Sequence, residues 1–182
     1  MWKSLKTKVI LGIILVLLLT LLFVPYRTAL VFYMPNTSKV VAYLPMDVTD
    51  RFQVIFTHSI HLSDVVEKYE IQNDFSIKQY EIIFEEFGIG MPSGANEGET
   101  FLHEDGKYHI KDMNLLFPSI NIRNGKVVSE HRLVWGEHAE GVEGLVYFND
   151  YLEPGARYTL KFDRISLWQS VRGVKISDEK EK

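Results

Sequence analysis

The sequence predicts a mainly β protein: a single extracytoplasmic antiparallel β-sandwich, with a barrel as the alternative, behind one N-terminal transmembrane helix. Three observations predict this fold. Apolar and polar residues alternate with period two in several short segments after residue 38. These segments are separated by clusters of Gly, Asn, Asp and Pro, as in sandwiches and barrels. A long uncharged apolar run precedes them, and the 46% hydrophobic content is sufficient for one core.

The N-terminal segment carries a membrane signal. Residues 1–8 (MWKSLKTK) contain three lysines and no acid, and residues 9–26 are uncharged. This run is longer than the core of a usual cleaved signal peptide and is just long enough to span a bilayer. We therefore predict an uncleaved anchor; a cleaved signal, which would make the domain a secreted protein, is the alternative. Because lysines before a span stay in the cytoplasm, the chain after the span is expected outside the cell membrane.

Composition excludes several classes of function. The chain has no cysteine, which excludes disulfides, thiolate metal sites and a cysteine nucleophile. The formal charge of −4 includes the three lysines before the apolar run; without them it falls to −7, too acidic to favour nucleic acid or anionic lipid headgroups. We therefore expect contact with the membrane through the helix and not through a basic patch.

The remaining chain divides into three parts. Residues 27–37 are expected to form a stalk, residues 38–176 the extracytoplasmic β domain, and residues 177–182 (SDEKEK) a charged tail. Within the β domain, half-buried strands are predicted from the alternation in RFQVIFTH, IKQYEIIFEE, KYHI and ARYTLKFD.

Two connections stand out. Asn124-Gly125 between two alternating runs predicts a tight hairpin turn, since this pair readily adopts positive φ angles. The segment 88–99 (GIGMPSGANEGE) contains four glycines and a proline without an apolar period. It predicts a long loop, which is either functional or disordered.

The stretch THSIHLSDVVEKYE, residues 57–70, places two histidines beside serines and acids. The phase of the preceding strand puts His58 on its apolar face, and the phase of the following strand puts Glu67 on the same inward side. A carboxylate there needs a partner, so we predict a hydrogen bond between His58 and Glu67 at the end of a hairpin. The pair either fixes the register of the hairpin or belongs to a functional pocket, and both interpretations stay open.

Stronger chemical signatures are missing from the sequence. His58 and His61, three residues apart, would point to opposite faces in a strand and would converge only in a turn, and the sequence lacks the further ligands of a zinc signature. Neither Ser59 nor Ser63 lies in a G-x-S-x-G elbow. The acids lack the spacing of a calcium loop, and the glycine-rich segment lacks the lysine of a phosphate-binding loop. The sequence therefore predicts no catalytic residue, metal ligand or cofactor.

Three blocks occur in order along the chain: FTHSIHLSDVVEKYEI, EEFGIGMPSGANEGE and KYHIKDMNLLFPSINIR, with HRLVW after them. Together they resemble the domain-of-unknown-function family 1850 (DUF1850) over roughly residues 50–135. The motif positions of the family fall on the following residues: His58, Ser59, Ser63, Val65 or Val66, Glu67, Phe87, Gly88, Gly90 and Pro92. His61 departs from the family's pattern, which usually has another polar residue there.

The resemblance implies an association with tripartite ATP-independent periplasmic (TRAP) transporters of the TAXI type, and it implies no reaction. We therefore expect a non-catalytic accessory or binding protein that contacts the transporter's membrane subunits or its solute-binding protein. Two other hypotheses stay open. One is an extracytoplasmic hydrolase or metal-dependent enzyme that uses His58, Ser59 and Glu67, and the other is a structural envelope module without a ligand.

Overall fold

A computed structural model describes residues 2–88, 90–138 and 141–177. Strands account for 47% of the structure and helices for 15%, which confirms the mainly β class. The strands form two sheets, and the described part of the chain contains no closed barrel. Of the predicted charged tail, residues 178–182 lie outside the described residues.

Helices occur at the two ends of the chain. Helix α1 (Trp2–Leu21) comes first, and the short helix α2 (Leu167–Arg172) follows the last long strand. A single 3-10 turn, Phe148–Asp150, lies between them. No helix in the described ranges is long and apolar enough to cross a membrane.

The strands build two antiparallel sheets, with one short parallel pair. In chain order the strands are β1 Pro25–Tyr33, β2 Val40–Pro45, β3 Arg51–Thr57, β4 Asp64–Ile71, β5 Ile77–Phe84, β6 Thr100–Glu104, β7 Lys107–Lys111, β8 Leu115–Phe117, β9 Ile120–Arg123, β10 Arg132–His138, β11 Gly141–Tyr147, β12 Arg157–Ser166 and β13 Val174–Lys175. The five-stranded sheet has the order β13-β2-β1-β12-β9. The larger sheet has the order β11-β10-β3-β4-β5-β7-β6, and β8 also pairs with β5. The strands predicted from alternation correspond to β3, β5, β7 and β12.

The two sheets pack face to face over one core. The five-stranded sheet contributes Leu30, Phe32, Leu44, Leu160 and Phe162, and the larger sheet contributes Phe52, Val54, Tyr69, Ile71 and Leu133. A second cluster continues along the inner face of the larger sheet and is formed by Val65, Ile82, Phe84, Ile110 and Met113. The two sheets therefore form a sandwich whose larger sheet has its own additional apolar cluster.

Strand β1 replaces the predicted stalk. The chain enters the sheet at Pro25, and Ala29, Leu30 and Val31 are completely buried. Leu30 belongs to the inner core, whereas Ala29 and Val31 belong to a cluster on the outer face of the five-stranded sheet. A strand buried on both faces reads as a continuous apolar run without alternation. The stalk prediction is therefore wrong for residues 27–33, which form a strand of the five-stranded sheet and not a connecting segment.

The hairpin predicted at Asn124-Gly125 is also wrong. Strand β9, before this pair, belongs to the five-stranded sheet, and β10, after it, belongs to the larger sheet. The side chain of Asn124 is fully buried and donates to Asn149 and to the carbonyl oxygen of Leu152. Its backbone N–H donates to the carbonyl oxygen of Ala156. Long-range hydrogen bonds, and not turn geometry, thus determine the conformation of Asn124 in a crossover between the sheets.

The burial of β1 gives a testable prediction. Replacing Leu30 by alanine removes a fully buried side chain and should lower the free energy of unfolding by about 2–5 kcal/mol. Met34→Ala, just after β1 and 40% exposed, is the matched control and should change it by less than about 0.5 kcal/mol. Chemical denaturation of both variants is the measurement. Equal effects of the two substitutions would contradict the assignment of β1 to the core.

Candidate functional site

The candidate site begins at the turn between β3 and β4. These strands form a hairpin in which Thr57 lies opposite Asp64. The turn is closed by two backbone bonds: the N–H of His58 donates to the carbonyl oxygen of Ser63 (2.8 Å), and the N–H of Leu62 donates to that of His58 (2.9 Å). His58 is buried, as the phase of β3 predicts. Leu62 adopts a positive φ of 57° and is exposed, so the turn holds an apolar side chain in solvent.

The His58 ring stabilises this turn from inside. Its Nδ1 atom lies 3.4 Å from the backbone nitrogens of Ile60 and His61, and it is oriented to accept from both N–H groups. An Nδ1 that accepts hydrogen bonds carries no proton, which assigns the proton of the neutral ring to Nε2. His58 therefore orders the polypeptide around it.

His61 extends the site toward the next loop. Its ring stacks on that of His58, with centroids 4.9 Å apart and planes at 20°. Nδ1 of His61 lies 2.7 Å from an Oε2 atom of Glu86, just after β5. Two stacked imidazoles thus connect the β3–β4 turn to the loop that follows β5.

The two glycines of the Phe-Gly-x-Gly motif are required for different physical reasons. A Cβ atom on Gly88 would lie 2.6 Å from Nε2 of His61 and 3.7 Å from Cε1 of His58, so the backbone approaches the rings as closely as a glycine permits. Gly90 has open space but a φ of +90°, within a turn closed by a bond from the N–H of Met91 to the carbonyl oxygen of Gly88 (3.0 Å). Pro92 is half-buried directly after this turn. The structure thereby brings His58 together with Gly88, as two parts of one site.

Exposed apolar side chains occur on the two segments that make this contact and on the neighbouring strand β6. Phe87 packs its ring against Tyr108 (4.5 Å between centroids) and lies 6.2 Å from Phe101. Phe87 and Phe101 are exposed, as are Ile60 and Leu62 in the turn. We call these four residues, Ile60, Leu62, Phe87 and Phe101, the turn–loop surface. Sequence reasoning identified Phe87 by its motif but missed the other three, which no local pattern distinguishes from core residues.

Glu67 lies away from His58, contrary to the predicted pair. The hairpin is formed as expected, but β4 begins at Asp64, so Glu67 lies opposite Val54, four residues before His58 and about 13 Å from it along the strand direction. Among the described residues, its hydrogen-bond partner is the hydroxyl of Tyr69 (2.9 Å). Burial raises the pKa of the Glu67 carboxyl, and the bond from Tyr69 offsets this only in part. Glu67 is therefore a partly buried acid between two apolar clusters.

The other predicted site residues do not complete an active site. Ser59 is exposed, and in the part of the chain that the structure describes no hydrogen bond joins it to His58. Ser63 contributes its backbone carbonyl to the turn. No group of three metal-ligating side chains occurs within the described ranges. The enzyme hypothesis based on His58, Ser59 and Glu67 thus lacks the close approach of these three residues.

A polar contact beside the turn was not predicted. The Oδ1 atom of Asp64 accepts hydrogen bonds from Arg132 Nη2 (2.6 Å) and from the Thr57 hydroxyl (3.0 Å). Burial acts to raise the pKa of Asp64, but these bonds outweigh it and the pKa is lowered. The adjacent His131 ring stacks on Phe56, and burial lowers its pKa. The trailing HRLVW block contains both basic residues, but their contacts depend on pairing between distant strands.

The contact at Gly88 gives a prediction with a matched control. Gly88→Ala should displace the His61 ring, because the new methyl carbon would lie only 2.6 Å from its Nε2 atom. Gly94→Ala, in the same loop, places a methyl group in open space. The chemical shifts of the Cε1–H protons of His58 and His61 should change in the first variant and not in the second. Unchanged shifts in both variants would contradict the close approach.

The environment of Glu67 gives a prediction about pH. The pKa of Glu67 is raised in the folded state above its ordinary value of 4.5. The folded protein therefore loses stability as pH rises from about 4.5 to the raised pKa of the folded state. Glu67→Gln keeps an acceptor for Tyr69 without the charge, and should raise the free energy of unfolding at pH 7 by about 1 kcal/mol. Thermal unfolding at pH 4 and pH 7 is the measurement, with the exposed Glu97→Gln as control. A loss of stability at pH 7 would show that the charge is stabilising.

Comparison with known proteins shows which family the chain resembles. Residues 52–140 match the model of the family described as "Domain of unknown function (DUF1850)". This range contains the β3–β4 turn, Glu67 and the Phe-Gly-x-Gly loop. No curated protein and no solved structure matches the chain. The resemblance carried by these motifs is therefore confirmed: over residues 52–140 the chain matches the DUF1850 family.

Proposed function

We propose that the protein is a membrane-anchored, extracytoplasmic binding protein without catalytic activity, which holds a partner protein at the turn–loop surface. The observation that carries this proposal is the contact between the β3–β4 turn and the Phe-Gly-x-Gly loop. It joins two irregular segments into one ordered surface whose apolar side chains face solvent.

The proposed anchor is the uncharged run 9–26, of which α1 forms the part up to Leu21, while its last two residues are the first two of β1. Its apolar side chains are exposed on all sides of the helix, from Val9 to Leu21. Each exposed Å² of apolar surface costs about 25 cal/mol in water, so a helix that is apolar all round favours a lipid environment. The lysines before it favour a cytoplasmic N-terminus. This supports a single-pass protein with its β domain outside the cell membrane.

The turn–loop surface has the composition of a protein-binding patch. Clustered exposed apolar and aromatic residues are the usual sign of an interaction site on a soluble domain. Leu62 is 68% exposed and Ile60 is 64% exposed, while the histidine rings beneath them fix the backbone. A surface that is ordered before binding loses little conformational entropy when a partner docks.

The chemistry of the site favours binding over catalysis. The Nδ1 atom of His58 is engaged by backbone N–H groups, and the carboxylate of His61's partner, Glu86, is itself exposed. A general base needs a reacting group within hydrogen-bond reach, and Ser59 does not occupy that position. These groups instead order the loops that carry the apolar side chains.

For the partner, we propose the membrane subunits or the solute-binding protein of a TAXI-type TRAP transporter. This part of the proposal comes from the family resemblance. A common membrane supports it physically, because two anchored proteins meet at a much higher effective concentration than two free ones.

Co-purification tests the proposal. Tagged full-length protein is isolated from gently solubilised membranes after crosslinking, and bound proteins are identified. Leu62→Asp replaces the most exposed apolar side chain of the turn–loop surface by a charge and should reduce recovery of a transporter subunit by about tenfold or more. Val127→Asp, at a position 86% exposed on the β9–β10 connection, is the control and should leave recovery unchanged.

The outcomes separate the open hypotheses. Loss of the partner with Leu62→Asp alone supports the binding surface. Equal recovery with both variants would remove the surface from the proposal, and recovery of no partner by the wild-type protein would favour the structural envelope module. Thermal unfolding of both variants verifies that they are folded.

A further inference from the structure

A second feature lies at the other side of the molecule, outside the five-stranded sheet. A groove of about 730 Å³ opens between the end of α1, the β1–β2 connection and α2. Its apolar side includes Phe23 and Trp168, and its polar side includes Ser38, Lys39 and Arg172. The turn–loop surface contributes no residue to it.

Helix α2 holds this groove beside the anchor. The backbone N–H of Trp168 donates to the carbonyl oxygen of Leu22 (2.9 Å), and the Trp168 ring lies 5.6 Å from that of Phe23. Ser166 and Gln169 form a reciprocal capping box that fixes the start of α2. The groove therefore adjoins the last turn of the apolar helix through defined contacts.

Within the part of the chain that the structure describes, the two cations of the groove have no acidic partner. None of the ion pairs among the described residues involves Lys39 or Arg172, although the chain as a whole is acidic. The Arg172 guanidinium lies over the Trp168 ring, 5.0 Å from its centroid. This stacking leaves the N–H groups at the edge of the guanidinium available for a bidentate contact with phosphate oxygens.

The aromatic residues around the groove match a membrane boundary. Trp168, Phe23 and Tyr26 are all exposed, and they lie where the apolar helix meets the folded domain. Tryptophan and tyrosine are enriched at the level of lipid headgroups, where one end of the ring is apolar and the other polar. Leu167 and Val171 on α2 are also exposed and add to the apolar surface beside the groove.

We propose that this groove binds the phosphate headgroup of an anionic phospholipid from the membrane that holds α1. Lys39 and Arg172 bind the phosphate, Ser38 donates from its hydroxyl, and Phe23 and Trp168 contact the start of the acyl chains. This inference rests on the proposed anchor. It departs from the expectation that the acidic chain lacks a basic patch for the membrane, because net charge is an average over the whole surface, whereas these two cations have no acidic partner among the described residues.

Lipid retention tests the proposal. Full-length protein is reconstituted into nanodiscs containing equal parts of phosphatidylcholine and phosphatidylglycerol, released, and analysed by native mass spectrometry. The wild-type protein should retain phosphatidylglycerol about tenfold over phosphatidylcholine, since lysine and arginine side chains near a membrane surface attract anionic lipids. Lys39→Gln/Arg172→Gln should lose this preference. Lys107→Gln/Lys111→Gln removes the same two charges from β7 and should keep it.

Each contrary outcome has a distinct meaning. Equal retention of both lipids by the wild-type protein would overturn the headgroup site alone, as would loss of preference in the β7 variant. Failure to enter nanodiscs of either lipid would overturn the anchor and this site with it.

Two further measurements do not depend on the variants. In detergent, phosphatidylglycerol should raise the unfolding temperature and inorganic phosphate should not. An equal rise with inorganic phosphate would overturn the lipid proposal and show that the groove binds a free anion. Retention of phosphatidylglycerol should fall as salt is added, because the contact is ionic. Retention that is insensitive to salt would overturn the role of Lys39 and Arg172.

Discussion

The burial of β1 on both faces is the constraint on which the rest of the structure depends. Its alternate side chains belong to the inner core and to the outer cluster, and its backbone pairs with β2 and β12. Because this strand begins directly after α1, the apolar helix meets the sandwich without a flexible stalk. The bond from Trp168 to Leu22 adds a second point of contact. The proposed membrane anchor and the proposed headgroup groove are then adjacent parts of one junction.

A second close contact organises the opposite region of the molecule. The stacked rings of His58 and His61 lie against the backbone of Gly88, and Glu86 binds the outer ring. Polar groups that resemble an active site in sequence serve here to order two loops. The ordered loops hold apolar side chains such as Leu62 in solvent, and exposed apolar side chains are typical of binding surfaces. The two proposed surfaces, one for lipid and one for a partner protein, are consistent with the proposed anchored accessory protein.

The sequence predicts local features of this structure well and long-range ones poorly. The inward phase of His58 and the special role of Gly90 follow from strand alternation and glycine chemistry. The neighbours of Glu67 do not, because they depend on where β4 begins, and the conformation of Asn124 depends on hydrogen bonds to residues more than 20 positions away. Strand β1 escaped detection since burial on both faces removes the alternation that identifies a strand. Lys39 and Arg172 are far apart in the sequence, and the fold places both of them at the same groove.

Site-specific photo-crosslinking in intact membranes tests the central claim, that the turn and the loop form one surface for a single partner. A photoreactive side chain is placed at Leu62, at Phe87 or, as a control, at Val127. The account predicts that Leu62 and Phe87 crosslink to the same membrane-associated protein and that Val127 does not. Crosslinks from Leu62 and Phe87 to different proteins, or from neither position to any protein, would contradict a single binding surface.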